Sequence, residues 1–135
     1  MASIRKELAL SNSADRVWDA MRDFQAVHTR VAPGFLIANK PEDGARVLTF
    51  ANGAVFRELL VSCDDPQRRL VYAIAQPPFT TYSASVQIFD EGAGKSRVAW
   101  TIDFLPNELA EHLDAQMEAA LTVMKPTLER ATSDT

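Results

Sequence analysis

The feature that most constrains this chain is a long amphipathic pattern over residues 107–131. Apolar residues recur there at steps of three and four, so that at about 100° per residue they share one face of a helix. That face consists of Leu109, Leu113, Met117, Ala120, Met124 and Leu128. Asn107 is placed to cap the helix, and Pro126 predicts either a kink or a helix that ends near Met124 and restarts. Such a helix needs a large apolar surface to cover.

The rest of the chain offers that surface as strands. Period-two alternation, turn residues and an Asn52-Gly53 hairpin signal predict strands with short connections. The predicted strands are 3–10, 35–39, 46–51, 55–63, 69–75, 80–89 and 97–104, with Pro41 in a turn. Two short helices are predicted after the first strand, at 13–23 and 25–32, with Ser11-Asn12-Ser13 supplying turn and N-cap chemistry for the first.

This order predicts one α+β domain over residues 1–135. Hairpin-length connections favour an antiparallel meander, and a twisted sheet of about seven strands tends to curl. The long C-terminal helix would fill the concave side, as in a helix-grip fold. A shape of this kind readily leaves a cavity between sheet and helix.

Composition excludes several classes of function. The net charge of −4 argues against a nucleic-acid partner, and no apolar run is long enough for a membrane span. Cys63 is the single cysteine, the two histidines lack ligand spacing, and no phosphate or dinucleotide motif is present, so we expect neither metal nor cofactor. The N-terminal residues lack the apolar core of a signal peptide, so a cytoplasmic location is expected.

Short motifs follow one another along nearly the whole chain. They are Val17-Trp18, Asp23-Phe24, Gly44-Ala45-Arg46, Glu58-Leu59-Leu60, Asp64-Asp65, Arg68-Arg69, Thr81-Tyr82, Ser96-Arg97-Val98, Trp100 and the segment from Phe104 to Pro106. In this order they resemble the START and birch-pollen-allergen (SRPBCC) superfamily, and within it the polyketide cyclase/dehydrase-like group. The resemblance implies the helix-grip fold and a small hydrophobic molecule as partner. It does not imply one activity, because the superfamily includes lipid carriers, hormone receptors, cyclases and co-chaperone domains.

The plant abscisic acid receptors of this superfamily share a Glu-x-Leu, Asp-Asp and Tyr pattern. By that resemblance Glu58 and Tyr82 are the candidate polar groups of a ligand pocket. The receptors' gate has no counterpart in the hairpin at residues 50–54, and their latch is replaced by Pro77-Pro78-Phe79. The resemblance therefore does not extend to a hormone-gated role.

Glu58 has two interpretations. Facing the cavity, its carboxyl would be desolvated and suited to acid–base work. Facing solvent, it would pair with Arg57 or Arg68. The inward orientation turns Val55, Leu59 and Val61 outward, where an apolar stripe could cover a homodimer contact or pack under the short helices.

The other candidates also have a structural alternative. Tyr82 either anchors a ligand oxygen or is a core tyrosine whose hydroxyl reaches the surface. Trp100 packs against the long helix and could also form a cavity wall, and His112 lies either at the cavity mouth or on the solvated edge of the helix. His28 could rim the opening. The full set of candidate ligand-binding residues is Glu58, Phe79, Tyr82, Trp100, His112, Leu113, Met117 and Leu121.

Three functions remain open from the sequence. The favoured one is binding of a small hydrophobic ligand in the cavity. The alternative is a polyketide cyclase/dehydratase-type enzyme that uses Glu58, Tyr82 and a histidine to move protons, for which Glu58 and the histidine should lie within about 4 Å. The third is a protein–protein module with a filled cavity.

Overall fold

The computed structural model describes residues 2–132. Its elements are β1 (Ala2–Leu10), α1 (Ala14–Met21), α2 (Val27–Arg30), β2 (Leu36–Glu42), β3 (Ala45–Phe50), β4 (Val55–Asp64), β5 (Arg69–Ile74), β6 (Thr81–Gly92), β7 (Lys95–Leu105) and α3 (Ala110–Glu129). Short 3₁₀ turns at Phe24–Ala26 and Asn107–Leu109 precede α2 and α3. The predicted order of strands and helices is confirmed.

The seven strands form one antiparallel sheet in the order β1-β7-β6-β5-β4-β3-β2. The sheet curls around α3, whose buried face includes Leu113, Met117 and Ala120. At the edge strand β1, Lys6 forms ion pairs of 2.8 Å with both Asp114 and Glu118 of α3. The predicted α+β helix-grip fold is therefore confirmed.

The β3–β4 hairpin sets the register in which Arg46 of β3 pairs with Glu58 of β4. The amide of Phe50 donates to the carbonyl of Ala54 at 2.9 Å, and Gly53 supplies the positive φ of +90° that the turn requires. From this turn the pairing runs back until Arg46 lies opposite Glu58. Directly opposed residues of antiparallel strands share a face, so these two side chains point the same way.

Two local predictions near β2 and α1 have different outcomes. Within the predicted capping segment 11–13, Ser13 caps α1, its hydroxyl accepting from the amide of Arg16 at 3.2 Å. The predicted turn at Pro41 is wrong, because Pro41 lies inside β2 opposite Arg46. β2 is an edge strand, where a missing amide donor is tolerated.

One prediction about the last helix is wrong, and one of the two alternatives at Pro126 is excluded. Asn107 does not cap α3; Pro106 precedes a 3₁₀ turn that contains Asn107. The helix neither ends near Met124 nor restarts, since α3 continues through Pro126 to Glu129. Leu128 is completely buried on the last turn, and this packing offsets the local cost of the proline. The kink itself stays a prediction.

Candidate functional site

A cavity of about 160 Å³ lies between the concave face of the sheet and α3. Its walls are mostly apolar side chains from the sheet, α2 and α3. They include Val27, Val31, Leu36, Leu48, Leu70, Ile74, Val86, Ile102, Leu109, Leu113, Met117, Ala120 and Met124. An engineered apolar cavity of about 150 Å³ in another protein stays dry and accepts benzene. The free volume here therefore corresponds to a molecule of about one ring.

The polar part of the wall is a buried ion pair between Arg46 and Glu58. The Nε and Nη2 atoms of Arg46 lie 2.8 and 2.7 Å from Oε1 of Glu58, and the residues are only 3% and 4% exposed. The third nitrogen, Nη1, donates to the carbonyl of Phe24 at 2.9 Å. The guanidinium also lies over the rings of Phe24 and Tyr72, 3.9 and 5.1 Å from their centroids. These contacts compensate the two charges that burial removes from water.

The inward orientation of Glu58 settles which face of β4 meets the cavity. The predicted partners were wrong: Arg57 instead pairs with Glu42 at 2.7 Å, and Arg68 pairs with Asp15 at 2.8 Å. The predicted consequence for the outer face is confirmed for Val55 and Val61, which are 50% and 60% exposed, whereas Leu59 is half-buried. Arg46 is part of the site although it is not among the predicted site residues. The Asn52-Gly53 hairpin was the signal that could have found it, because counting back from that turn brings Arg46 opposite Glu58.

Three aromatic residues with polar atoms extend the wall beside Glu58. The indole Nε1 of Trp100 donates to the hydroxyl of Tyr72 at 3.1 Å, and the hydroxyl of Tyr82 neighbours that of Tyr72. Burial raises the pKa of both phenols, and the negative charge of Glu58 raises each further. Both tyrosines therefore remain neutral at ordinary pH and act as hydrogen-bonding groups. Tyr82 lies in the cavity wall as predicted, whereas the face of Tyr72 could not be read from the sequence.

An aromatic row follows the wall from α2 to β6; it consists of Phe35, Phe50, Phe56, Phe79 and Tyr82. Successive ring centroids are 5.6, 6.0, 5.9 and 4.8 Å apart, within the range of edge-to-face contact. All five rings line the cavity. The row thus gives one side of the cavity a continuous aromatic surface and includes the predicted residue Phe79.

The remaining predicted residues divide between the cavity and its surroundings. Leu113 and Met117 are buried in the wall, and His112 lines the cavity while remaining exposed, which puts it at the opening. Leu121 does not line the cavity; with Leu8 it borders a groove between α3 and β1. His28 is not among the lining residues, and its buried Nδ1 has no hydrogen-bond partner among residues 2–132.

Cys63 and the residue types that bind metal ions are further reactive groups in the sequence. Burial, and then the charge of Asp65, raise the pKa of the Cys63 thiol, which opposes thiolate formation. Across residues 2–132 the histidines, cysteine and acids form no group of three that could hold a metal ion. In the same part of the chain no helix is long and apolar enough to cross a lipid bilayer.

The fold and cavity define a helix-grip protein with an apolar pocket that is closed by its last helix. The sequence matches the family described as polyketide cyclase / dehydrase and lipid transport over residues 1–132, and the chain belongs to that family. The predicted SRPBCC resemblance is thereby confirmed. A comparison with curated proteins by sequence finds no match.

Several solved structures share the fold. Protein XoxI from Bacillus cereus is 20% identical with a TM-score of 0.85, over 96% of this chain and 97% of that one. The di-domain ARO/CYC BexL from the BE-7585A biosynthetic pathway is 16% identical with a TM-score of 0.79, over 96% of this chain but 47% of BexL. Norcoclaurine synthase from Thalictrum flavum, in complex with dopamine and hydroxybenzaldehyde, is 17% identical with a TM-score of 0.71, over 98% of this chain and 89% of that one. At these identities the similarity extends to the fold alone.

Proposed function

We propose that residues 1–135 form one ligand-binding domain whose cavity binds a small hydrophobic molecule. The observation that carries this proposal is the apolar cavity of about 160 Å³ with one polar end. A helix and a sheet that served only as a core would pack without such a void, since protein interiors are filled to crystal-like density. Transfer of an apolar molecule from water into this space is favourable at about 25 cal/mol for each Å² buried.

The relatives support a ligand of this kind. The family description includes lipid transport, and the structure of norcoclaurine synthase holds two small aromatic compounds. The aromatic row and the free volume both suit a molecule of about one ring. A longer lipid or a fused-ring polyketide would require α3 or the β3–β4 hairpin to move outward.

The second candidate is a cyclase or dehydratase, because a carboxylate and two phenols share the cavity wall. The ion pair between Arg46 and Glu58 argues against this enzymatic function as the first choice. A general acid or base must exchange a proton with the substrate, and Oε1 of Glu58 is already occupied by two Arg46 contacts, at 2.8 and 2.7 Å. The raised pKa of each phenol also makes both tyrosines weak proton donors.

The proposal is tested by filling the cavity. Ala120 lies on α3 in the cavity wall and is 2% exposed, so Ala120→Leu puts three additional carbon atoms into the void. At about 0.8 kcal/mol per buried CH₂ the variant should gain up to about 2 kcal/mol in the free energy of unfolding. Isothermal titration with ethylbenzene should give a measurable Kd for the wild type and at least about tenfold weaker binding for Ala120→Leu.

The matched control is Ala119→Leu, one residue earlier on the same helix but exposed. It carries the same change in helix propensity and should bind ethylbenzene like the wild type. Equal binding by both variants, or a loss of about 1–3 kcal/mol of stability in Ala120→Leu from overpacking, would show that the space is not a ligand cavity.

A further inference from the structure

We infer that the cavity selects ligands that carry a hydrogen-bond donor, such as a one-ring alcohol or amine, over ketones and carboxylates of the same size. This inference rests on the proposed function and names the class of ligand. It follows from how the polar atoms of the cavity wall are already occupied.

The Glu58 carboxylate has an unused acceptor. Both contacts from Arg46 end on its Oε1 atom, at 2.8 and 2.7 Å. No hydrogen bond from another residue within 2–132 reaches Oε2. An ionised carboxylate accepts hydrogen bonds and cannot donate them, so a ligand group that meets Oε2 must bring its own proton.

Several of the protein's donors at this end of the cavity already have an acceptor. Three of the five N–H groups of Arg46 make hydrogen bonds, two to Glu58 and one to the carbonyl of Phe24. The faces of its guanidinium are shielded by the rings of Phe24 and Tyr72. Trp100 donates to Tyr72, and the hydroxyls of Tyr72 and Tyr82 are hydrogen-bonded to each other. A ligand that can only accept must compete with these protein acceptors for a proton.

The charges lead to the same preference. The pair of Arg46 and Glu58 is neutral as a whole, and among residues 2–132 no other lysine or arginine lines the cavity. A ligand carboxylate would lose its hydration without gaining a free positive partner, which is costly in an apolar site. An alcohol or ammonium loses less, because Oε2 replaces the water that it leaves. Hydrogen bonds to charged groups contribute about 1.5–3 kcal/mol, which corresponds to at least about tenfold in Kd.

The test compares three probes of nearly equal size. 1-Phenylethanol carries a donor, acetophenone has the same carbon skeleton with an acceptor only, and benzoate is an anion. Isothermal titration of the wild-type chain should rank 1-phenylethanol at least about tenfold tighter than acetophenone, with benzoate weakest. Equal Kd values for the alcohol and the ketone, or tighter binding of benzoate, would overturn the inference.

A double variant assigns the preference to the ion pair. Arg46→Met with Glu58→Met removes both charges together, and the preference for the alcohol over the ketone should disappear while ethylbenzene still binds. Persistence of the full preference would overturn the role of Glu58. The wild-type ranking needs no variant, so it tests the inference even if the double variant does not fold. Failure of ethylbenzene and all three probes to bind the wild type would instead contradict the proposed function.

Discussion

The buried ion pair makes a sharp prediction about stability. Arg46→Met leaves the Glu58 carboxylate in a site where it is only 4% exposed and has lost its compensating charge. Breaking a buried pair on one side typically costs about 3–5 kcal/mol, whereas replacing both charges with apolar side chains is often neutral. Adding Glu58→Met to Arg46→Met should therefore raise the free energy of unfolding by about 3 kcal/mol relative to Arg46→Met alone. This corresponds to roughly 10 °C in Tm. Both variants lack the Arg46 bond to the carbonyl of Phe24, so their difference isolates the carboxylate.

The assay is urea unfolding followed by the fluorescence of the two tryptophans, with thermal melts in parallel. The control is Arg57→Met, which breaks a more exposed pair between Arg57 of β4 and Glu42 of β2 and should cost less than about 1 kcal/mol. A double variant no more stable than Arg46→Met would refute the reasoning that the charges compensate each other.

Three further predictions concern groups around the site. Tyr72 and Tyr82 are the only tyrosines and both have a raised pKa, so absorbance at 295 nm should show no tyrosinate in the folded protein at pH 10. Because the unfolded chain ionises its phenols first, at about pH 10, stability should fall as pH rises above that value; tyrosinate appearing at lower pH without unfolding would contradict this. Asn12→Ala removes the side-chain bonds to the carbonyls of Leu128 and Ala131, at 2.9 and 3.0 Å, and should cost about 1–3 kcal/mol in chemical unfolding; Ser11→Ala serves as the exposed control. Pro126→Ala restores a helix amide and should stabilise the protein by up to about 3 kcal/mol, and clear destabilisation would show that the proline is needed for closure.

The fold was predictable because most of its signals are local. Alternation, the Asn52-Gly53 turn and the apolar face of α3 each predict their own element. The orientation of Glu58 was harder to predict, because β4 is apolar on both faces and either orientation leaves large apolar side chains outside. Arg46 was missed since a lone arginine is exposed by default, and only the register of the hairpin brings it inside. That register is pairwise information, which the pattern of a single strand does not contain.

Leu121 and Pro126 show a second limit on what the sequence predicts. The apolar face of α3 is wider than the cavity, and its edge at Leu121 packs toward Leu8 of β1 instead. Helical periodicity gives the face but not the outline of the space below it. Pro126 is tolerated within α3 because burial of Leu128 and the bonds from Asn12 hold the last turn. These are tertiary contacts between residues more than a hundred positions apart, so no local pattern predicts them.

The central claim is that a small ligand occupies the cavity between the sheet and α3. Three methionines, Met21, Met117 and Met124, line that cavity, so their methyl groups report directly on it. With ¹³C-methyl-labelled methionine, addition of 1-phenylethanol should shift all three signals along one saturable curve, and Ala120→Leu should reduce the shifts at the same ligand concentration. The contradicting result is a set of methionine methyl signals that do not change at a 1-phenylethanol concentration that saturates binding in calorimetry. The ligand would then bind outside the cavity.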